Sequence, residues 1–219
     1  MSLNLDLFTS QDATGPTLEQ LGPQAMVLHG YALASEHALL AMLQSVTAAA
    51  PFRHMMTPSG YSMSVAMTNC GALGWVSDRR GYRYAPQDPM SGLTWPAMPS
   101  AFKTLAAAAA AVAGFDRFEP DACLINCYTP GTRLSLHQDK NERDFSQPIV
   151  SVSLGAPAVF LFGGQQRRDK TRRVALMHGD VVVWGGVDRL RYHGVLPLKP
   201  HPHPVLGAQR INLTLRKAG

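Results

Sequence analysis

An imidazole and a carboxylate stand two residues apart in the run Ser-Leu-His-Gln-Asp, where they are His137 and Asp139. Residues two apart in a strand point to the same side, so these groups can occupy adjacent corners of a metal site. His193, in Leu-Arg-Tyr-His-Gly-Val, lies on another predicted strand and can supply a third ligand. Two histidines and one carboxylate match the facial triad of non-haem iron oxygenases. The His-x-Asp pair alone is a weak signal, because most histidines are not ligands.

The C-terminal run Arg-Ile-Asn-Leu-Thr-Leu-Arg alternates strictly between polar and apolar residues, and its polar face carries Arg210, Asn212 and Arg216. An exposed edge strand would leave these arginines in water. If the polar face lines the interior beside a metal, both guanidinium groups need carboxylate partners there. A dicarboxylate such as 2-oxoglutarate supplies them, and the arginine fork suits bidentate pairing. Asn126 and Tyr128 share one face of an earlier run, where they are either further donors to these carboxylates or core polar groups satisfied by backbone.

Short strands must position these residues, because alternating runs broken by Pro-Gly, Gly-Gly and His-Gly-Asp turns follow Asp121. Such spacing is typical of a β-sandwich or barrel. Two helices precede the strands, one capped by Ser35 and ended by Pro51, the other running from Ser100 to Gly114. We predict a mainly β (α+β) fold: a double-stranded β-helix, or jelly roll, with both helices packed on one face. The predicted strands lie near residues 121–128, 133–139, 149–154, 158–162, 180–184, 190–195 and 209–216.

The length of 219 residues fits one domain. Residues 1–22 show no clear period and are predicted to be an irregular lead-in to a single domain over residues 23–219. No apolar stretch is long enough to cross a membrane, and no basic segment leads into an apolar one at the N-terminus. We therefore expect a cytoplasmic protein without a membrane partner. The three cysteines are odd in number, which favours free, reduced thiols.

Twenty Lys and Arg residues against fifteen Asp and Glu give a net charge of +5, which suits a polyanionic partner but decides little alone. Five of these cations fall between residues 167 and 173. A second group, Arg79, Arg80 and Arg83, stands among the aromatic residues Trp75, Tyr82 and Tyr84. Basic side chains interleaved with aromatic ones suit a phosphate backbone and a stacked base. The alternative is a solvated basic loop.

Taken together, these motifs resemble those of the bacterial AlkB dealkylases, over nearly the whole chain after residue 22. The motifs that carry the resemblance are Met63–Gly71, Trp75, Asn126-Cys-Tyr128 with Pro130-Gly131, Leu136–Lys140, Ser151–Gly155, Phe160–Gly164, His178–Trp184, Tyr192-His193-Gly194 and Arg210–Arg216.

The resemblance implies an oxygenase domain with a jelly-roll core at about residues 120–219 and a nucleotide-recognition lid at about residues 50–98. It implies Fe(II) on His137, Asp139 and His193. The 2-oxoglutarate ligands that it implies are Asn126, Tyr128, Arg210, Asn212 and Arg216. Arg210 would pair with the distal carboxylate and Arg216 with the one near iron, a division that sequence does not determine. In the implied reaction, dioxygen and 2-oxoglutarate yield succinate and carbon dioxide, and the hydroxylated N-alkyl group leaves as formaldehyde, which restores the base.

By the same resemblance, Trp75, Tyr82, Tyr84 and Arg167 contact a flipped nucleotide, which needs an aromatic pocket. Asn141 departs from the family, whose best-known members carry an acidic residue there. An aspartate would favour cationic lesions, whereas asparagine brings no charge. The implied partner is alkylated single- or double-stranded DNA, with RNA as an alternative, and we expect a monomer.

The sequence is also compatible with other roles for some residues and with other functions. His178 and Trp184 are interpreted as structural or pocket-wall residues, and His201 and His203 as loop residues. The same enzyme class includes proteins that act on protein or lipid substrates. A binding module with structural zinc is a different class, but structural zinc usually has four protein ligands and only three are visible here.

Overall fold

The computed structural model describes residues 17–219 of the chain. Two α-helices lie in the N-terminal half, α1 (Glu36–Ala49) and α2 (Ser100–Val112). The strands are β1 (Leu18–Gly22), β2 (Ala25–Leu28), β3 (Arg53–Met56), β4 (Ser62–Gly71), β5 (Gly74–Asp78), β6 (Gly81–Ala85), β7 (Ala122–Tyr128), β8 (Leu134–His137), β9 (Ile149–Gly155), β10 (Ala158–Phe162), β11 (Arg172–Leu176), β12 (Val181–Trp184), β13 (His193–Val195) and β14 (Arg210–Arg216).

The strands form two main antiparallel sheets and one separate hairpin. The larger sheet has the order β1-β2-β12-β9-β14-β7-β4-β3, the smaller has the order β11-β10-β13-β8, and β5 pairs with β6. Apolar residues of both main sheets, such as Phe160 of β10 and Trp184 of β12, meet in one buried cluster between them. The predicted mainly β fold with a jelly-roll core is therefore confirmed.

The second buried cluster lies between the helices and the outer face of the larger sheet. It joins Leu39 of α1 and Phe102 of α2 to apolar residues of the central strands, including Leu213. Because side chains alternate across a strand, packing Leu213 against the helices turns Asn212 and Thr214 toward the smaller sheet. The helices thus determine which face of β14 lines the interior.

The structure differs from the predictions at several element boundaries. Residues 18–22 form β1 and are not irregular, because they pair with β2 in the edge of the larger sheet; residues 1–16 of the predicted lead-in lie outside the described residues. β2 and β11 were not predicted. Predicted strands 133–139 and 190–195 shorten to β8 and β13. Ser35 precedes α1, but its side chain makes no capping hydrogen bond.

Cys70, Cys123 and Cys127 are free and buried, as predicted. Within residues 17–219, no helix has the length and apolar character needed to span a bilayer. The segment between the helices contains the β5–β6 hairpin and long loops, as its composition predicted, but it also contains β3 and β4, which are strands of the larger sheet.

Candidate active site

The three predicted metal ligands converge at one end of the smaller sheet. His137 ends β8 and pairs directly with His193, which begins β13, and their ring centroids are 4.4 Å apart. Asp139 follows β8 in a loop, and its two carboxylate oxygens each lie 3.7 Å from the Nε2 of one histidine. All three potential ligand atoms lie within 4.8 Å of one another. The sheet therefore brings together residues that the sequence separates.

The hydrogen bonds that both imidazoles make with backbone carbonyls leave the Nε2 atom of each ring free. His137 donates from Nδ1 to the carbonyl of Ser135 at 2.8 Å, and His193 donates from Nδ1 to the carbonyl of Arg191 at 3.0 Å. Since a carbonyl can only accept, each Nδ1 carries the proton and each Nε2 is free to bind a metal. Burial, and then the neighbouring His193, lower the pKa of His137 to about 4, so this ring is neutral near pH 7.

In a second group of potential metal ligands, the histidine nitrogen that faces the carboxylate carries the proton. Glu36, His178 and His203 also lie within 4.8 Å of one another. The backbone N–H of Gly155, however, donates to Nδ1 of His178 at 2.8 Å, so the ring proton of neutral His178 is on Nε2. That Nε2 lies 3.2 Å from Glu36 Oε1 and has no free lone pair for a metal. This group therefore fits the structural role expected of His178.

Arg216 pairs with the carboxylate of the triad. Its Nε donates to Oδ2 of Asp139 at 3.0 Å, and it also lies 3.4 Å from Oε1 of Glu142. Burial alone would raise the pKa of the Asp139 carboxyl, but the charge of Arg216 and the facing His193 hold that pKa well below its usual range. Asp139 is thus held as a carboxylate, the form that binds a metal.

Arg210 is a buried cation without a carboxylate partner among residues 17–219. It is 1% exposed and donates one side-chain hydrogen bond, from Nη2 to Ser153 Oγ at 2.9 Å. Its Nε and Nη1 have no partner, and its guanidinium lies 5.1 Å from the ring centroid of Tyr128. Burial lowers its pKa. Because an unpaired buried charge is costly, this position suits an anionic ligand.

The other expected 2-oxoglutarate ligands line the same cavity, whose volume is about 600 Å³. Asn126 has an unpartnered Oδ1, and Asn212 donates to Ser151 Oγ at 2.7 Å. Burial raises the pKa of Tyr128, so its phenol keeps its proton and can donate. Arg216 retains one unpartnered Nη1. These donors, with Arg210, suit a small dicarboxylate beside the triad.

The mouth of the cavity is lined by four of the five expected substrate contacts. Trp75 stacks on Tyr82 at 5.6 Å with an interplanar angle of 15°, and its indole donates to Oδ1 of Asn141 at 3.2 Å. Arg167 also lines the cavity. Tyr84 is not among the residues lining this cavity, and its hydroxyl donates to Oε1 of Glu142 at 2.6 Å.

Sequence reasoning missed several polar residues of the site. Ser151 and Ser153 were noted only as part of a family motif, yet two serines at period two in an apolar strand are a signal for a polar interior face. Glu142 and Arg189 form a buried ion pair 3.1 Å apart. Nothing in the sequence marks those two charges as buried.

Comparison with known proteins places the chain among oxygenases. The model of the 2OG-Fe(II) oxygenase superfamily matches residues 24–216. An alpha-ketoglutarate-dependent dioxygenase AlkB from Salmonella typhimurium is 55% identical over 214 residues, which is 98% of each chain. The mouse nucleic acid dioxygenase ALKBH1 is 34% identical over 131 residues, which is 59% of this chain and 33% of the relative. The solved structure of OsALKBH1 superimposes with a TM-score of 0.80 at 29% identity, covering 92% of this chain and all of that one.

Proposed function

Because this chain belongs to the AlkB family within the 2OG-Fe(II) oxygenase superfamily, we propose that it removes alkyl groups from N-alkylated bases of DNA. It is a dioxygenase that depends on Fe(II) and uses 2-oxoglutarate and dioxygen as co-substrates. Its overall products are succinate, carbon dioxide, formaldehyde and the repaired base. The mouse relative named as a nucleic acid dioxygenase supports a nucleic-acid substrate.

One observation carries the proposal: the His-Asp-His cluster, the unpaired Arg210 and the Trp75–Tyr82 stack all border one cavity. The cluster would hold Fe(II) through His137, Asp139 and His193. Bound iron would supply the activation of dioxygen that an amino-acid side chain cannot provide. The unpaired guanidinium would bind a carboxylate, and the aromatic stack would receive a planar base.

The residues of the chain then have separate tasks in the reaction. Arg210 binds and orients 2-oxoglutarate, because a charge-assisted hydrogen bond fixes a carboxylate more strongly than neutral donors do. Asn126 and Tyr128 would add donors to the same ligand. In the same cavity, the ring centroids of Phe160 and Trp184 lie 6.0 and 5.0 Å from that of His193. These aromatic rings would exclude water from the space beside the metal.

Substrate recognition is proposed to occur at the cavity mouth. A base can reach a buried metal only after it leaves the stack, and Trp75 and Tyr82 provide an aromatic surface for it. Arg133, Lys140 and Arg167 also line the cavity and suit contacts with the phosphate backbone. We extend the proposal to a monomeric, cytoplasmic enzyme, with methylated RNA as an alternative substrate.

Turnover with defined oligonucleotides tests this function. The enzyme is supplied with Fe(II), ascorbate, 2-oxoglutarate and single-stranded DNA containing 1-methyladenine or 3-methylcytosine. We expect succinate and formaldehyde in equal amounts, with much less succinate when the same oligonucleotide is unmethylated, and no turnover in His193→Ala. Succinate release that methylated DNA does not stimulate would contradict the proposal. If only methylated RNA stimulates succinate release, the substrate is RNA and not DNA.

A further inference from the structure

Arg189 is a buried cation that none of the predicted roles includes. It is 2% exposed and immediately follows the short 3-10 turn Gly186–Asp188, four residues before His193. Most of a protein's arginines reach water, and a buried one needs several partners to offset its lost hydration. The identity of those partners therefore indicates what the residue holds in place.

Among residues 17–219, the partners of the Arg189 guanidinium all belong to the loop of residues 138–148, between β8 and β9. Nη1 donates to the backbone carbonyl of Asp139 at 2.8 Å, and Nε donates to the carbonyl of Gln147 at 3.1 Å. Nη2 lies 3.1 Å from Oε2 of Glu142, and the guanidinium lies 5.5 Å from the ring centroid of Phe145. One side chain thus contacts both ends and the middle of this loop.

Asp139 lies in this loop and is not held by strand pairing, so its position depends on hydrogen bonds from other segments. His137 and His193 are held by the β8–β13 ladder, whereas Asp139 lies beyond the end of β8. Its carboxylate is oriented by Arg216 and its backbone carbonyl by Arg189. A ligand in a loop is less precisely placed than one on a strand unless surrounding hydrogen bonds constrain it.

We propose that Arg189 is a positioning residue that fixes the Asp139 carboxylate for metal binding by fastening the 138–148 loop to the segment leading into His193. This inference rests on the proposed metal site. Arg189 touches neither the metal ligand atoms nor the cavity, so it acts through the backbone of Asp139. The planar fork of arginine reaches the two carbonyls and the carboxylate at once, and a lysine ammonium in the same place cannot span all three.

Mn(II) alone, titrated calorimetrically into the metal-free full-length chain, tests the proposal without turnover. Arg189→Lys keeps a positive charge beside Glu142 but loses the fork. Removing an outer partner of a metal ligand typically weakens metal binding by 10- to 100-fold, and we expect a rise in the Mn(II) Kd of about that size. An unchanged Kd in a folded Arg189→Lys variant would overturn the inference. Failure of the wild type to bind Mn(II) would instead contradict the metal site itself.

Two further variants separate positioning from general stability. Arg53→Gln removes a bidentate ion pair with Asp88, outside the 138–148 loop, and should leave the Mn(II) Kd unchanged even if the thermal midpoint falls. Phe145→Leu removes the aromatic ring beside the Arg189 guanidinium at a partly exposed position that should tolerate the change. It should raise the Kd by roughly two- to fivefold. If Arg189→Lys does not fold, an unchanged Kd in Phe145→Leu overturns the proposal.

Discussion

The buried, unpaired charge of Arg210 makes the clearest quantitative prediction. Its Nε and Nη1 have no partner among residues 17–219, and burial lowers its pKa. If 2-oxoglutarate supplies the missing carboxylate, Arg210→Leu removes a charge-assisted interaction of about 1.5–3 kcal/mol. The 2-oxoglutarate Kd should then rise by roughly 10- to 150-fold.

Thermal unfolding with Mn(II) in place of Fe(II) measures this effect without turnover. At a 2-oxoglutarate concentration of about 100 times its wild-type Kd, ligand binding stabilises the wild type by about 2.7 kcal/mol. For a chain of this size that is a rise in Tm of roughly 5–11 °C. A variant whose 2-oxoglutarate Kd is 100-fold higher would be stabilised by the ligand by only about 0.4 kcal/mol, which is a Tm rise of roughly 1–2 °C.

Without 2-oxoglutarate, the same substitution is expected to have the opposite effect on stability. Leucine at position 210 removes a buried charge that lacks a counterion, so the variant without 2-oxoglutarate should be at least as stable as the wild type. Arg117→Leu, at an exposed position outside the cavity, is the matched control and should keep the full ligand-induced rise in Tm. A large ligand-induced rise in Arg210→Leu would refute the assignment of Arg210 to 2-oxoglutarate.

Three further predictions concern Asn141, the stacked pair Trp75 and Tyr82, and the pH dependence of stability. Asn141→Asp should raise kcat/KM on cationic 1-methyladenine and 3-methylcytosine by about fivefold relative to neutral 1-methylguanine. The reason is that one added charge near 4 Å in water contributes about 1 kcal/mol. Equal changes in kcat/KM on both classes of base would contradict this prediction. Trp75→Ala or Tyr82→Ala should weaken binding of a methylated single strand by roughly 5- to 150-fold, from about 1–3 kcal/mol of stacking, and leave the 2-oxoglutarate Kd unchanged; a parallel loss of 2-oxoglutarate binding would indicate a structural role. Burial, and then the charge of His203, lower the pKa of His178. The unfolded chain therefore binds a proton at this position more readily than the native chain does. Because of this difference, stability falls as the pH drops below about 6.5. His178→Asn, whose amide oxygen can accept from Gly155, should therefore lose less unfolding free energy than the wild type between pH 7 and pH 5 in urea titrations, and an identical loss would contradict this sign.

Local patterns were sufficient to predict much of the fold. The period-two runs predicted β7, β9, β12 and β14 because each has one face toward the helices and one toward the smaller sheet. They predicted β10, a strand of the smaller sheet, because alternate residues of it are buried against the larger sheet. Strand β1 was missed because it is an edge strand without a buried residue, so its sequence shows no apolar face. β13 shortened to three residues because its pairing with β8 extends only from His193 to Val195.

The sequence by itself determined the types of chemical group at the site and their faces: two imidazoles, a carboxylate and a polar strand face with arginines at both ends. Only the tertiary structure decided which of those arginines is already paired. Arg216 contacts Asp139, whereas Arg210 is buried without a carboxylate partner in the described part of the chain. It also decided that Tyr84 and Arg189 meet at Glu142. The physical reason is that alternation along a strand specifies a face, but burial and charge pairing depend on which distant segments close over that face.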